Sequence, residues 1–165
     1  MPPYACAGVL EAVMVREYRT QDLGAVVALF GRSVHELASR DYSPAQVSAW
    51  APEVPDLGAW AVRLASGGVF VSERSSEIAG FARIAEDGYF DLLYVHPDFQ
   101  RQGVARELID RTLSWASDRG IHRLSADVSA TARPLFERMG FRVVASRRVE
   151  RRGVWFDNAR MERES

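Results

Sequence analysis

The sequence predicts a single α+β domain in which a mixed, mostly antiparallel sheet carries flanking helices. Three observations support this prediction. The chain has 165 residues, which suits one domain of about 100 to 200 residues. Hydrophobic residues make up 47% of it and charged residues 26%, as is typical of globular proteins. Segments with the strand pattern alternate with segments of helical periodicity, and several strands follow one another across short turns. We expect a tail at 1–12 and one domain at 13–165.

The N-terminal half is predicted to contain strands and short helices. Its elements are, in order, a strand at 13–18, a helix from Thr20 to about Leu37, a short helix ending near Trp50, a helical turn or two within 56–65, and strands at 69–73 and 78–84. The long helix is predicted from apolar residues that recur at helical spacing. Ser43 as N-cap and Pro44 at the first helical position predict the short one. A hairpin turn is expected around Ser75 and Ser76.

The C-terminal half is predicted to contain one long helix between strands. Its elements are, in order, a strand at 89–95, a loop at 96–103, a helix at 104–118, a strand at 123–128, a short helix at 132–139, and strands at 141–149 and 154–161. Pro97 ends the first of these strands, because proline lacks an amide hydrogen and restricts the residue before it. Gly120 and Gly140 are expected to end the two helices. Arg152 and Gly153 are expected to form the last turn.

Charge and composition exclude several classes of function. The 21 basic and 22 acidic residues give a net charge of −1, so no overall field attracts nucleic acid or an anionic membrane. All 21 basic residues are Arg, which excludes a Schiff-base or acyl-lysine intermediate. No apolar stretch approaches the roughly 18 residues that cross a bilayer, and residues 1–12 do not resemble a signal peptide. We therefore expect a cytoplasmic protein with no nucleic-acid or membrane partner.

The single cysteine, Cys6, has no intramolecular partner. It therefore excludes a disulfide framework and a cysteine-based zinc cluster, and we expect no metal site. Cys6 lies in the predicted tail without a basic neighbour that would lower the pKa of its thiol, so a redox role is not expected.

The most informative segment is the loop and helix start Gln100-Arg101-Gln102-Gly103-Val104-Ala105. Gly103 and the small Ala105 allow a ligand to approach the backbone closely. The free amides of the first helical turn, at the positive end of the helix dipole, favour a phosphate or pyrophosphate. Arg101 and Arg106 could add charge-assisted hydrogen bonds. The alternative is that Gly103 only forms a tight turn between strand and helix.

This segment, with Leu93-Tyr94-Val95-His96-Pro97 before it, closely resembles the acetyl-CoA motif of the GNAT superfamily of N-acetyltransferases. The resemblance covers nearly the whole chain from Val13, and 132–141 resembles the second helix motif of the family with its Gly-Phe ending. Two segments, 41–50 and 152–156, resemble the YafP-type subgroup. The resemblance implies a GNAT-like fold in which a bulge splays a central pair of strands.

The resemblance also implies a binding site for acetyl-CoA as co-substrate. The loop amides would hold the CoA pyrophosphate, the strand backbone at 93–95 would pair with pantetheine, and an amide near Val95 would polarise the thioester carbonyl. The implied cofactor-binding residues are Leu93, Tyr94, Val95, Gln100, Arg101, Gln102, Gly103, Val104, Ala105, Arg106, Ser129 and Phe136. The amine would attack the thioester directly, without a metal or a covalent enzyme intermediate.

Transfer to an amine requires a group that removes a proton, since an alkyl ammonium has a pKa of about 10.4. Asp91, on the strand before the loop, is the first candidate, and the alternative is a solvated or hydrogen-bonded carboxylate. Weaker candidates are Glu86, Asp127, His35 and His96.

Two residues depart from the common family pattern. Many members carry Asn where this chain has Ser129, and a Tyr that protonates the leaving sulfur where it has Phe136. Phe136 cannot donate a proton, so we expect it to pack. Ser129, Tyr94 or water would then protonate the sulfur.

Aromatic residues are candidates for the acceptor side, because the early helices and the final hairpin flank the cleft in this family. Tyr42, Trp50 and Trp155 are the predicted substrate-binding residues, with Trp60 as a further candidate; each could instead be a core residue. The pairs Arg147-Arg148 and Arg151-Arg152 could recognise an acidic acceptor or nucleic acid, but a solvated surface is the preferred interpretation.

The sequence thus predicts an acetyl-CoA-dependent N-acetyltransferase that acts on a small-molecule or peptide amine in a ternary complex. The main alternative is a non-catalytic acyl-CoA-binding or regulatory module, which Phe136 favours. A third is a protein-interaction partner in a stress or toxin–antitoxin setting. The acceptor and the oligomeric state, a homodimer included, stay open.

Overall fold

Two antiparallel sheets form the frame of the computed structural model, which describes residues 13–165. The strands are β1 Val13–Glu17, β2 Gly68–Arg74, β3 Glu77–Ile84, β4 Phe90–Val95, β5 Arg123–Val128, β6 Arg142–Arg151 and β7 Val154–Glu164. The first sheet has the order β1-β2-β3-β4 and the second the order β5-β7-β6. The α+β prediction is confirmed, but the strands are divided between two sheets. The predicted tail at 1–12, with Cys6, lies outside the described residues.

Among the described residues, five α-helices flank the sheets. They are α1 Leu23–Glu36, α2 Pro44–Trp50, α3 Leu57–Arg63, α4 Val104–Asp118 and α5 Arg133–Arg138. The Ser43 hydroxyl accepts from the Gln46 amide at 3.2 Å and the Gln46 side chain accepts from the Ser43 amide, so α2 begins with a capping box. Short 3₁₀ turns at Thr20–Asp22 and Pro97–Phe99 replace the predicted helix start and part of the predicted loop. Within residues 13–165, no helix is long and apolar enough to span a membrane.

The first sheet has a helix layer on each face. Side chains alternate across β2, so Phe70 packs in the core beneath α4, whereas Val69 and Val71 pack in the core beneath α1. Phe70 and Phe81 are fully buried in these two cores. Burying a side chain of this size stabilises a fold by roughly 1.5 to 3 kcal/mol.

The two sheets diverge where β4 and β5 run side by side. The backbone pairing between them in the described part of the chain is a parallel bridge between Tyr89 and Ser125. On the other side of β4, Ile84 pairs with Phe90 and Arg83 pairs with Leu92, so Asp91 is an extra residue that bulges the strand. The splayed central pair implied by the family resemblance is therefore present, and a gap opens beside β4.

Candidate active site

A cavity of about 400 Å³ occupies the gap between β4 and β5. One end is lined by Leu93, Val95, Ala105 and Phe136, close to the start of α4. The other end is lined by α1 and α3 residues and by the turn between β6 and β7. The cavity therefore connects the predicted cofactor loop to the predicted acceptor side.

The loop before α4 presents unpaired backbone amides. Gly103 is the N-cap of α4 with φ +80°, and within residues 13–165 the amides of 103–106 donate to no protein acceptor. A Cβ at Gly103 would meet nothing closer than Glu107 Oε1 at 4.0 Å, so the positive φ, and not lack of space, favours glycine here. Nη2 of the buried Arg74 donates to both carboxylate oxygens of Glu107 at 3.1 Å and to the Gln102 carbonyl at 3.4 Å. This contact fixes the loop against the first sheet.

Charged and polar side chains of the loop remain at the surface. Arg101, Gln102 and Arg106 are exposed and Gln100 is half-buried. Arg101 adopts a positive φ of 59°, which turns the chain into α4. An exposed cationic loop around free amides is a suitable environment for a phosphate.

The free edge of β4 offers further backbone groups. The His96 amide donates to the Ala79 carbonyl of β3 at 2.7 Å. Because hydrogen bonding alternates along an antiparallel pair, the amides of Leu93 and Val95 point away from β3, toward the gap. Their edge is therefore available to an extended ligand.

The Tyr94 side chain lies on the opposite face of β4 from the α4 core. Its hydroxyl accepts from Trp50 Nε1 at 3.1 Å, and its ring packs 4.9 Å from that of Phe30 and 5.5 Å from that of Phe81. Burial raises the pKa of this hydroxyl. Tyr94 thus contributes its backbone to the predicted cofactor edge and its side chain to the acceptor end.

Asp91 is held by two arginines. Its Oδ1 accepts from Arg63 Nη2 at 2.6 Å, and its Oδ2 accepts from Arg63 Nε at 2.9 Å and from Arg83 Nη1 at 2.8 Å. Burial raises the pKa of Asp91, but the hydrogen bonds and charges of both arginines outweigh it and hold the pKa below its usual value. Asp91 lines the cavity, and its carboxylate is hydrogen-bonded, which was the alternative to a base role; that its partners are two arginines was not predicted.

The other predicted proton acceptors differ in placement. Asp127 lines the cavity but accepts from Arg160 at 2.8 and 2.9 Å and from the Tyr89 hydroxyl at 3.1 Å. Glu86, His35 and His96 are not among the lining residues. His35 lies 2.7 Å from the Ala51 carbonyl, and His96 accepts from the Asp98 amide at 3.1 Å.

Ser129 and Phe136 both line the cavity. The Ser129 hydroxyl accepts from the Ala132 amide at 3.2 Å and so stabilises the entry into α5. Phe136 is 3% exposed and packs edge-on against Phe90 and Phe141, at 5.4 and 5.0 Å between ring centroids. This environment is apolar, in agreement with a packing role.

The predicted acceptor-side aromatics separate into two groups. Trp50 and Trp60 line the cavity. Tyr42 stands behind Trp50, with 5.4 Å between the rings, and its hydroxyl accepts from the Ala130 amide. Trp155 lies outside the cavity, 48% exposed beneath Arg148. Side chains alternate along β7, so its neighbour Phe156 lines the cavity instead.

Among the described residues, three arginines line the acceptor end of the cavity: Arg63, Arg151 and Arg152. Arg63 was not predicted as a site residue, and the pair Arg151-Arg152 was considered for an acidic acceptor only as the less favoured interpretation. Arg63 is the last residue of α3, and Arg151 and Arg152 lie at the tip of the final hairpin. Gln46 of α2 donates to the Trp155 carbonyl at 3.0 Å, and this contact brings the hairpin over the cleft. By contrast, Arg147 and Arg148 do not line this cavity.

Comparisons with known proteins agree with this geometry. The family model described as an acetyltransferase (GNAT) domain matches residues 38–163. The N-acetyltransferase YafP of Escherichia coli strain K12 is 39% identical over 146 residues, which cover 88% of this chain and 92% of that protein.

Solved structures give the same result. The crystal structure of a GCN5-related N-acetyltransferase from Rhodopseudomonas palustris has a TM-score of 0.90 at 30% identity, covering 95% of this chain and 98% of that one. The structure of the putative acetyltransferase yncA from Salmonella typhimurium, with acetyl-CoA, has a TM-score of 0.71 at 22% identity, covering 93% and 94%. The second likeness is one of fold.

Proposed function

This chain belongs to the GNAT family of acetyltransferases, and on that premise we propose that it transfers the acetyl group directly to a primary amine of a small molecule or peptide within a ternary complex. It is an N-acetyltransferase of the YafP-like type, and acetyl-CoA is its co-substrate. The observation that supports direct transfer is that one continuous cavity runs from the open edge of β4 to the acceptor end. Both substrates could meet there without a carrier residue.

The start of α4 is the proposed site of the CoA diphosphate. Its unpaired amides at 103–106 and the positive end of the helix dipole favour a doubly charged group. The exposed guanidinium groups of Arg101 and Arg106 would add charge-assisted hydrogen bonds. Gly103 keeps the approach to these amides open.

The edge of β4 is the proposed site of the pantetheine arm and the thioester. Pantetheine contains amide groups that pair with a strand edge, and the amides of Leu93 and Val95 point toward the gap. The Val95 amide would stabilise negative charge that develops on the thioester oxygen during attack. Phe136 would pack against this arm from α5.

Asp91 is the proposed proton acceptor. As a carboxylate with a lowered pKa it is charged at neutral pH, and it lines the cavity on the acceptor side of β4. Its hydrogen bonds to Arg63 and Arg83 make Asp91 a weaker base. To accept the proton of the amine, Asp91 would have to give up one of these hydrogen bonds. The positively charged residues that line the cavity around it would lower the pKa of a bound ammonium, so that a weaker base could remove its proton.

Tyr94, Ser129 and water are the proposed sources of a proton for the CoA sulfur. Burial raises the pKa of Tyr94, so its hydroxyl keeps its proton at neutral pH. Ser129 uses its oxygen to accept from Ala132 and retains its own proton as well. A thiol of pKa about 8.5 leaves readily, so a dedicated acid is not required.

Release of free CoA thiol from acetyl-CoA on adding a panel of amines tests this function. We expect release that depends on both substrates, with initial-rate plots that intersect as a ternary complex requires. Parallel lines would indicate a covalent intermediate. Binding of acetyl-CoA without thiol release from any amine would instead support the acyl-CoA-binding alternative that Phe136 favours.

A further inference from the structure

The geometry points to an acceptor that carries a carboxylate near its amine, with Arg151 and Arg152 at the cavity mouth as the residues that bind it. This inference deepens the proposed function and depends on it for the identity of the reacting amine. It rests on the charges of the cavity wall, on which of them are already paired, and on the apolar surroundings.

The acceptor end of the cavity is lined by more positive than negative charge. Its charged lining residues are Arg63, Asp91, Asp127, Arg151 and Arg152. Asp91 is already paired with Arg63 and Arg83, and Asp127 with Arg160. Both carboxylates of the cavity wall are therefore already in ion pairs with other arginines, and neither is paired with Arg151 or Arg152.

Arg151 and Arg152 form no ion pair among residues 13–165, and each is oriented by a different contact. Arg152 donates from Nη1 to the Ala49 carbonyl at 2.6 Å, which holds the hairpin tip against α2. The Arg151 guanidinium lies 5.8 Å from the Phe156 ring centroid. The positive charge of Arg151 also acts on the Tyr94 hydroxyl and partly offsets the rise in the pKa of Tyr94 that burial causes. Arg151 therefore faces the aromatic end of the cavity.

An unpaired guanidinium beside aromatic walls is a strong site for a carboxylate. Its planar fork matches both oxygens of the anion. Arg151 and Arg152 are themselves exposed, and the cavity that they line also contains Trp50, Trp60 and Phe30. A simple alkylammonium would be repelled by the same wall, whereas an acceptor that also carries a carboxylate offsets the charge. Two further carboxylates, those of Asp41 and Asp157, are close enough to raise the pKa of the Tyr42 hydroxyl. Neither residue lines the cavity, so neither adds negative charge to its wall.

Matched acceptors test the inference. Rates of thiol release are compared for phenylalanine, its amide and phenethylamine, and for amidated peptides with or without a glutamate next to the terminal amine. We expect kcat/KM for the carboxylate-bearing member to exceed that of its carboxylate-free match by about tenfold or more, the factor that a hydrogen bond to a charged group contributes. The first set detects a free amino acid and the second an acidic peptide.

Arg151→Gln locates the effect. It should raise KM for the carboxylate-bearing acceptor by about tenfold and should not raise KM for the carboxylate-free match, because the loss of a positive charge reduces the repulsion of its ammonium group. Arg148→Gln is the control, because Arg148 is on the same hairpin but packs on Trp155 outside the cavity. Equal losses for both acceptors, or a neutral acceptor preferred by the wild-type protein, would overturn the inference.

Calorimetry separates this inference from the proposed function. Binding of the same acceptors to the full chain, with and without saturating CoA, needs no turnover. Selective binding of the carboxylate member that Arg151→Gln removes, without thiol release, would support the inference and contradict the proposed function. Turnover of carboxylate-free amines alone would support the proposed function and contradict the inference.

Discussion

Arg63 and Asp91 form a bidentate ion pair at the bulge of β4, with Nη2 to Oδ1 at 2.6 Å and Nε to Oδ2 at 2.9 Å. Arg63 ends α3, so the pair ties the acceptor-side helices to the strand that borders the cofactor edge. It also places the proposed base and a cavity-lining cation in direct contact. The chemistry assigned to Asp91 therefore depends on Arg63.

Asp91→Asn and Arg63→Gln should have unequal effects if Asp91 is the base. We expect Asp91→Asn to lower kcat by about 100-fold, a typical contribution of general base catalysis, with acetyl-CoA affinity unchanged. Arg63→Gln removes a hydrogen bond and a charge that lower the pKa of Asp91, so any acid limb of the pH–rate profile moves to higher pH. Initial rates and cofactor calorimetry on both variants and the double variant provide the measurement. If all three lose activity equally, Asp91 only positions Arg63.

Gly103→Val should abolish acetyl-CoA binding while leaving a folded protein. At φ +80° a side chain adds backbone strain of about 1 to 2 kcal/mol, and it stands beside the amides of the proposed diphosphate site. Gly120→Val is a matched control, because Gly120 has φ +70° with nothing near its Cβ position and lies at the far end of α4. Thermal unfolding and calorimetry should show similar destabilisation in both variants and loss of affinity only at Gly103. Unchanged affinity there would contradict the loop assignment.

Phe136→Tyr should be tolerated. The ring packs between Phe90 and Phe141 and lines the cavity, whose lining also includes Ser129 and Thr131 as possible partners for an added hydroxyl. We expect kcat within about threefold of wild type, since a thiolate of pKa about 8.5 leaves without an acid. Thiol release measured across pH 6 to 9 checks this, with Phe136→Leu as the control for packing. A gain of tenfold or more would mean that protonation of the sulfur limits the wild-type rate.

Asp22→Asn should destabilise the fold in a pH-dependent way. Hydrogen bonds from Arg16 at 2.8 and 3.0 Å are the main reason that the pKa of buried Asp22 lies below its usual value. We expect a loss of about 2 kcal/mol at pH 7, a value within the range for hydrogen bonds to charged groups. Because the folded pKa is lowered, the contribution is complete above the unfolded pKa of about 3.9 and is lost as pH falls through the folded value. In urea unfolding, the difference in stability between the two proteins should therefore begin to shrink as pH falls below about 4 and vanish below the folded pKa of Asp22, and a constant difference would contradict the assignment.

Local patterns predicted the elements that surround the cofactor edge. The Pro97 break, the Gly103 turn and the periodicity of α4 are local signals, and the structure has a strand, a short loop and a helix at those residues. Ser43 and Pro44 likewise mark the start of α2. Such signals depend on a few neighbouring residues, which the sequence displays directly.

Pairings between distant segments escaped prediction. Asp91 meets Arg63 and Arg83 only after α3 and β3 are packed beside β4, so its occupied state has no local signal. Phe156 lines the cavity where Trp155 was predicted to do so. The difference is one residue of strand register, and a shift of one residue moves every side chain of β7 to the opposite face of the sheet. Arg152 joins the cavity because α2 accepts its hydrogen bond across the molecule.

The position of the CoA diphosphate tests the central claim most directly. A crystal structure of the complex with acetyl-CoA measures the distances from its oxygens to the backbone nitrogens of residues 103–106. The account predicts hydrogen-bonding distances of about 2.7 to 3.2 Å and a thioester beside the Val95 amide. A diphosphate bound elsewhere, or a gap beside β4 filled by side chains, would contradict it.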